Sequence, residues 1–252
     1  MGGYLNISFI LPCFRRAAWL RAALPLNEHY RSPDVEVILV LDEPSEEKEV
    51  MAIVRDNPGI RFKVIINDWQ HAWRPPCIPI NVGVRHAVAS HIAILSPETM
   101  LWMPHPCYLQ YLLSKDWRPV YGGVLWHVTD AEPTDGQDLM RGKLCAAEAM
   151  RAPSALGFGF ILCQRLSFER ICGMDEMRAY YGGDDDDLRQ RLVMTGHQMM
   201  IDPNIRIFHP THEAGVSRDL PKDESKPTRV MYHQRETWGR AFSRKIWDWS
   251  KL

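Results

Sequence analysis

Val35-Glu36-Val37-Ile38-Leu39-Val40-Leu41 is an almost unbroken apolar, β-branched run, closed by Asp42-Glu43-Pro44. Ser45 follows as an expected helix N-cap, with Glu46 and Glu47 in the first turn, where a helix dipole favours acids. Phe62 to Ile66 then reads as a second strand. The same alternation continues on both sides. Leu5 to Leu11 is a strand stopped by Pro12, and Arg15 to Leu24 is helical, with Trp19 and Ala23 one turn apart. Beyond a Trp- and Pro-rich loop over 67–78, Ile80 to Ala89 reads as helix and Ile92 to Leu95 as strand. Strands that are apolar throughout, separated by helices, indicate a parallel sheet covered on both faces. Ligands bind such sheets beyond the carboxyl ends of the strands. Those ends are Pro12-Cys13-Phe14, Asp42-Glu43 and Ser96-Pro97-Glu98.

Composition fits a folded domain of this kind. The 252 residues are 46% hydrophobic and 24% charged, enough for a sizeable core and unlike a fibre or a disordered tail. Thirty basic residues against 31 acidic ones give a net charge of -1, so no global field attracts nucleic acid or anionic membrane. The six cysteines include no C-x-x-C pair, which argues against zinc or a disulfide framework and for a reducing, cytoplasmic setting. No apolar run approaches the ~20 residues of a membrane span. The start of the chain lacks the pattern of a signal peptide, and Asn6 fails the myristoylation pattern.

The second half is less regular. Val120 to Val128 reads as strand, 129–153 as loop with one short helix, and Leu156 to Cys163 as an apolar strand holding Gly157 and Gly159. Asp184 to Met194 reads as helix and residues 231–250 as a terminal helix.

Four places carry chemistry. Gly182-Gly183-Asp184-Asp185-Asp186-Asp187 sets four repelling carboxylates at a helix start, which the dipole partly offsets. The plain reading is a solvated acidic turn. The preceding glycines permit close approach, and a carboxylate beside like charges has the raised proton affinity of a general base. Ser96-Pro97-Glu98 follows an apolar strand and is otherwise a capped turn. Phe208-His209-Pro210-Thr211-His212 holds two histidines three apart, a weak metal pattern by itself. Asp42-Glu43 is either a polar turn or a pair that accepts hydrogen bonds from a base or ribose.

In order along the chain these features resemble the GT-A glycosyltransferases, in particular the family-2 and galactosyltransferase-like group. The similarity spans roughly residues 5–213. It is most specific where Arg165-x-x-Phe168 leads to Cys172-Gly173-Met174-Asp175-Glu176, and then to Gly182-Gly183-Asp184-Asp185-x-Asp187-Leu188-x-x-Arg191-Leu192. The P-loop and the dinucleotide glycine fingerprint are absent. The resemblance implies an α/β fold of GT-A (Rossmann-like) type: a mostly parallel central sheet flanked by helices, with a smaller acceptor-side portion. It implies nucleotide and donor contacts at Pro12, Cys13, Phe14, Asp42, Glu43, Asn81, Ser96, Pro97 and Gly183. It implies a divalent cation, manganese over magnesium, on Glu98 and His209 with His212 as the alternative. Asp185 matches the catalytic base and Asp184 its acidic neighbour. Ser96 stands where the family has a carboxylate, which lowers the expected metal affinity or leaves a place for water.

The implied activity is inverting transfer of a sugar from a nucleoside diphosphate donor, with UDP as the expected nucleotide, to a carbohydrate or other hydroxyl-bearing acceptor. A catalytically decayed nucleotide-sugar binding module and a nucleotidyltransferase are the rival readings. Residues 1–213 form the expected glycosyltransferase domain, with 1–100 as nucleotide-binding half and 101–213 as acceptor and catalytic half. Residues 214–252 form an expected extension, a mobile loop and an amphipathic helix. Between Arg218 and Leu252, nine basic and five acidic residues surround Trp238, Phe242, Trp247 and Trp249. This reads as a helix packed on the core. Peripheral contact with a membrane or lipid-linked acceptor is the alternative, and nucleic acid is a weaker one. Trp69, Trp73 and Arg74 flank the expected donor pocket, and the oligomeric state is open.

Overall fold

Burial of β-branched runs on both faces organises the molecule. The computed structural model describes residues 6–71, 75–128, 148–149, 160–177, 183–210, 236–240 and 245–248. Strands Ile7–Cys13 (β1), Val35–Leu41 (β2), Phe62–Ile66 (β3) and His91–Leu95 (β4) are parallel, in the order β3-β2-β1-β4. Every residue of β2, β3 and β4 is buried. Ala17–Ala23 (α1), Glu47–Asp56 (α2) and Tyr108–Lys115 (α4) pack Leu20, Val50, Ile53 and Leu109 on one face, against Phe9, Leu39 and Val64. Cys77–His86 (α3), Arg165–Arg170 (α5) and Asp184–Met194 (α6) pack Ile80, Phe168 and Leu188 on the other, against Ile10, Ile38 and Ile92.

The sheet continues with Phe160–Gln164 (β8), Val120–Val128 (β6), Met199–Pro210 (β9) and Met100–Trp102 (β5), while Glu148–Ala149 (β7) pairs β6. The expectation of a mostly parallel sheet therefore holds for β1 to β4, and the remainder is mixed. β8 runs antiparallel to both β4 and β6, and β9 runs parallel to β6. Strand β6 and strand β9 consequently run with β4. Their ends at Val128 and Pro210 reach the same rim as Leu95.

Two local expectations are corrected. Ser45 caps no helix. Pro44–Glu46 is a 3₁₀ turn, and the Ser45 hydroxyl donates to the Glu43 carboxylate. Glu46 instead caps α1, accepting from the backbone N–H of Arg16 at 2.7 Å and of Ala17 at 3.1 Å. It supplies the acceptor that Arg16, at the cap position, lacks.

The expected terminal helix is also corrected. Lys245–Asp248 is a strand (β10), antiparallel on β3. It pairs backbone groups that would otherwise form an open sheet edge. Trp247 packs against the core and Asp248 Oδ2 lies 3.7 Å from Lys63 Nζ. Trp238 is buried as well, edge-on to Phe168 at 6.0 Å and under the Arg85 guanidinium at 4.2 Å. Described residues beyond position 213 thus contribute to the same sheet and core. The expected loop over 129–147 and 150–153, the expected mobile loop, and Trp73 and Arg74 lie outside the described residues.

Helix α3 approaches the sheet closely at Gly83, where a Cβ would stand 2.6 Å from Ile10 Cγ2 and 3.0 Å from Val40 Cγ2. Gly83→Ala, although a better helix former, is expected to lose about 1–3 kcal/mol by overpacking. The midpoint of urea unfolding checks this.

Candidate active site

The rim formed by the ends of β1, β2, β3 and β4 collects most of the residues that the sequence singles out. The Asp42 N–H donates to the Cys13 carbonyl at 2.8 Å, joining the ends of β1 and β2. The Asp42 carbonyl accepts from Asn67 Nδ2 and His71 Nε2, both at 2.7 Å, and His71 Nε2 also lies 3.4 Å from Asp42 Oδ2. The His71 ring stacks on Phe14 at 5.2 Å, with Trp69 tilted against it at 5.1 Å and half exposed. Asp42 and Glu43 are buried beside this aromatic wall. A planar base can stack there while carboxylate oxygens accept from hydroxyls or ring N–H groups. Pro12 is half-buried. The Cys13 thiol is fully buried and its proton affinity is raised, first by desolvation and then by Glu46. Cys13 therefore serves the rim through its backbone, as a buried thiol is no nucleophile.

At the end of β4, Ser96 is half-buried and Pro97 and Glu98 are buried. Glu98 Oε1 lies 3.4 Å from His209 Nε2 on β9 and 3.8 Å from Arg16 Nε. Sequence-distant Glu98 and His209 thus meet because β4 and β9 end at one rim. A carboxylate oxygen and an imidazole nitrogen facing each other, with the Ser96 hydroxyl two residues away in sequence, form a donor set that fits a borderline divalent cation. No group of three or more His, Cys, Asp or Glu side chains forms a metal cluster among the described residues. Beyond Glu98 and His209, donor oxygens or water could fill further positions of a coordination sphere. His212 lies outside the described residues. His127 of β6 is the register partner of His209 on this rim, a juxtaposition that only the strand pairing reveals.

The four aspartates take different places. Gly183 caps α6 at φ 74°, a left-handed conformation suited to glycine. Asp187 is buried and holds Arg191 Nε at 3.0 Å, while Arg191 Nη1 donates to the carbonyl of Ile171 at 2.9 Å. This pair fixes α6 to the turn after α5. Asp186 is exposed and pairs with Arg189 at 2.6 Å. Asp184 and Asp185 remain half-buried at the helix start. Desolvation, then Asp184, then Asp186 push the Asp185 carboxyl well above the usual carboxylate range, against the pull of Arg189. Asn81, expected near the donor, is fully buried. Its Nδ2 donates to Met174 O and Glu176 Oε1, each at 2.8 Å, and its Oδ1 accepts from Met174 N at 2.7 Å. Its amide is committed to holding the Cys172–Glu176 segment that precedes α6. Sequence reasoning overlooked His71, Asn67 and Arg16, which carry no motif. The Arg15-Arg16 pair just beyond the strand end was the one available signal for Arg16.

Comparison with known proteins bears on the fold. Residues 146–213 match the family described as the N-terminal domain of galactosyltransferase, a stretch that includes β8, α5, the acidic start of α6 and His209. Among solved structures, the chain is similar to mannosyltransferase PcManGT from Pyrobaculum calidifontis, in complex with GDP-Man and Mn2+. The TM-score is 0.59 at 14% identity, covering 85% of this chain and 59% of that one. The chain thus spans less than two thirds of the mannosyltransferase. No curated protein matches the sequence. The fold is that of the GT-A glycosyltransferases, and within it residues 146–213 are similar to the N-terminal domain of galactosyltransferase.

The Asp185 environment gives a stability signature. A carboxyl with raised proton affinity in the folded state costs stability once deprotonated, because the unfolded chain gives up the proton first. Stability falls as pH rises from about 4, the unfolded value. Asp185→Asn is therefore expected to raise the melting temperature at about pH 7.5 and to gain nothing below about pH 4. Melting curves across that range check it.

Proposed function

We propose that this chain transfers a sugar from a nucleoside diphosphate sugar to an acceptor hydroxyl with inversion at the anomeric carbon. The observation that carries the reading is the Glu98–His209 pair, brought to 3.4 Å on the rim that also holds Asp42, Glu43 and the Phe14–His71 stack. The donor base stacks on the aromatic wall, and the carboxylates of Asp42 and Glu43 accept from the base and ribose. Glu98 and His209 hold a divalent cation, manganese rather than magnesium because imidazole suits it better. When bound, that cation neutralises charge on the departing diphosphate.

Asp185 performs the proton step. Its carboxylate takes the proton of the acceptor hydroxyl as the oxygen attacks the anomeric carbon. The bond from that carbon to the diphosphate oxygen breaks, and the diphosphate leaves with the electron pair. A single displacement inverts the centre. Burial and the neighbouring aspartates, which raise the Asp185 proton affinity, make it a stronger base than an exposed carboxylate. UDP is the proposed nucleotide, in keeping with the galactosyltransferase-type segment. The GDP-Man in the mannosyltransferase makes GDP-sugars the necessary comparison.

Transfer from a panel of UDP- and GDP-sugars, with product anomers resolved by NMR, tests the reading. Asp185→Asn is expected to lower kcat by about 10²–10⁴-fold, with donor affinity nearly unchanged. Glu98→Gln and His209→Ala are expected to weaken the manganese-dependent part of UDP binding, read by calorimetry. Near-normal turnover in Asp185→Asn removes the base assignment. Unchanged manganese dependence in both other variants removes the cation site.

A further inference from the structure

The turn between α5 and α6 is held from two sides. Gly173 has φ 73°, a left-handed conformation suited to glycine, and a Cβ there would stand 2.4 Å from Asn81 Oδ1 and 2.9 Å from Trp238 Cε3. Helix α3 and the Trp238 indole therefore both close on the bare backbone of that residue. Three residues on, Glu176 Oε1 accepts from Asn81 Nδ2 at 2.8 Å and from the Gly239 N–H at 2.6 Å. One carboxylate oxygen thus joins the turn to α3 and to a segment 63 residues further along the chain. Arg85 completes the clamp from α3. Its Nε donates to the Trp238 carbonyl at 3.0 Å, and its guanidinium lies over the indole. Gly239 is packed as closely, since a Cβ there would stand 2.4 Å from Arg85 Cγ and 2.7 Å from the Asn81 carbonyl oxygen.

The same turn carries the start of α6. Arg191 Nη1 donates to the Gly173 carbonyl at 2.5 Å, and Arg191 Nε donates to Asp187. The Asp187 N–H closes the first helical turn on the Gly183 carbonyl at 2.9 Å, with Asp184, Asp185 and Asp186 between them. Asp185 therefore sits in a helix start that is tied through Asp187 and Arg191 to Gly173, and through Glu176 to Gly239. Each link is a hydrogen bond or a close packed contact, and such contacts pass a shift on instead of absorbing it. Proton transfer from a hydroxyl needs heavy atoms within about 2.6–3.2 Å, so a helix start displaced by about 1 Å is felt in the rate. Asp185 is the base on the reading proposed above, on which this inference rests.

We infer that Glu176 and the Trp238–Gly239 segment are positioning elements for Asp185, so that chain lying outside the family-matched stretch sets the geometry of the proton step. Glu176 touches no reacting atom. It acts through the turn, and its negative charge strengthens the two bonds that it accepts.

Kinetics, calorimetry and melting curves of the full chain test this. Glu176→Ala and Gly239→Ala are each expected to lower kcat by about 10²-fold. Their affinity for UDP or GDP in manganese stays nearly unchanged, which also shows that the variants are folded. Glu176→Gln keeps an oxygen for both donors and is expected to restore most of the turnover. A mutant cycle reads the link without substrate. The gain in melting temperature expected of Asp185→Asn at about pH 7.5 shrinks by about half or more when Glu176 is replaced by alanine, because a released helix start lets water reach Asp185. Additive effects of Glu176→Ala and Asp185→Asn on melting, undiminished kcat in Glu176→Ala and Gly239→Ala, or nucleotide affinity lost in step with kcat overturns the inference. Turnover kept in Asp185→Asn, or transfer from no donor, removes the base reading instead, and the cycle still decides whether Glu176 holds Asp185 in place.

Discussion

Strand Phe160–Gln164 runs against both of its neighbours, and the geometry of the rim depends on that one reversal. A β-strand delivers its carboxyl end to whichever edge of the sheet its direction dictates. With one antiparallel strand between them, β4 and β6 run the same way, and β9 follows β6 in parallel. Glu98 and His209, far apart in sequence, therefore arrive together. If β8 ran parallel to β4, with its pairing to β6 and that of β6 to β9 kept, the rim would hold Glu98 without His209. Ridges of apolar side chains from two sets of helices lock the arrangement, because every residue of β2, β3 and β4 is buried. A slip of one residue would turn each of those side chains to the opposite face.

Charge is distributed around this rim with care. Asp42, Glu43 and Glu98 are all buried, and buried carboxylates are costly unless something faces them. His71 faces Asp42, Arg15 and Ser45 face Glu43, and Arg16 and His209 face Glu98. The acidic run on α6 follows the same rule up to a point. Asp187 has Arg191 and Asp186 has Arg189. Asp185 alone is left with like charges as its nearest strong influences and a distorted proton affinity. Natural folds tolerate such local cost at sites of chemistry more than elsewhere.

Much of this was legible in the chain. The bounds of β2, β3, β6 and α6 follow from the residues alone, since apolar runs end at Asp42, Asn67 and the acidic turn without ambiguity. Strand β9 was not legible. Asp202-Pro203-Asn204 interrupts its alternation, and its register with β6 jumps between Gly123 and Val124. Gly123 tolerates that jump because a Cβ there would stand 2.6 Å from the Ile205 carbonyl oxygen. Strand β10 was mistaken for helix because Lys245-Ile246-Trp247-Asp248 lies among charges and aromatics that fit either period. Only pairing with β3 decides it. At the rim, motif order singles out Glu98 and His209, and the structure brings the two together. The commitment of Asn81 to Met174 and Glu176 was not legible, because a saturated amide looks no different in sequence from an available one.

The pairing of β10 with β3 has a kinetic consequence. On the ribosome, the five-residue β3 would emerge long before its outer partner. Until Lys245–Asp248 is made, the hydrogen-bonding edge of β3 stays exposed while all of the chain between the two strands is synthesised. The contact is among the most sequence-distant in the fold, and such closures are slow. In that interval the nascent half-sheet is a template for strands of other chains. Lys63 on β3 holds its ammonium against Glu36 and the His86 carbonyl, and Asp248 joins it once β10 pairs.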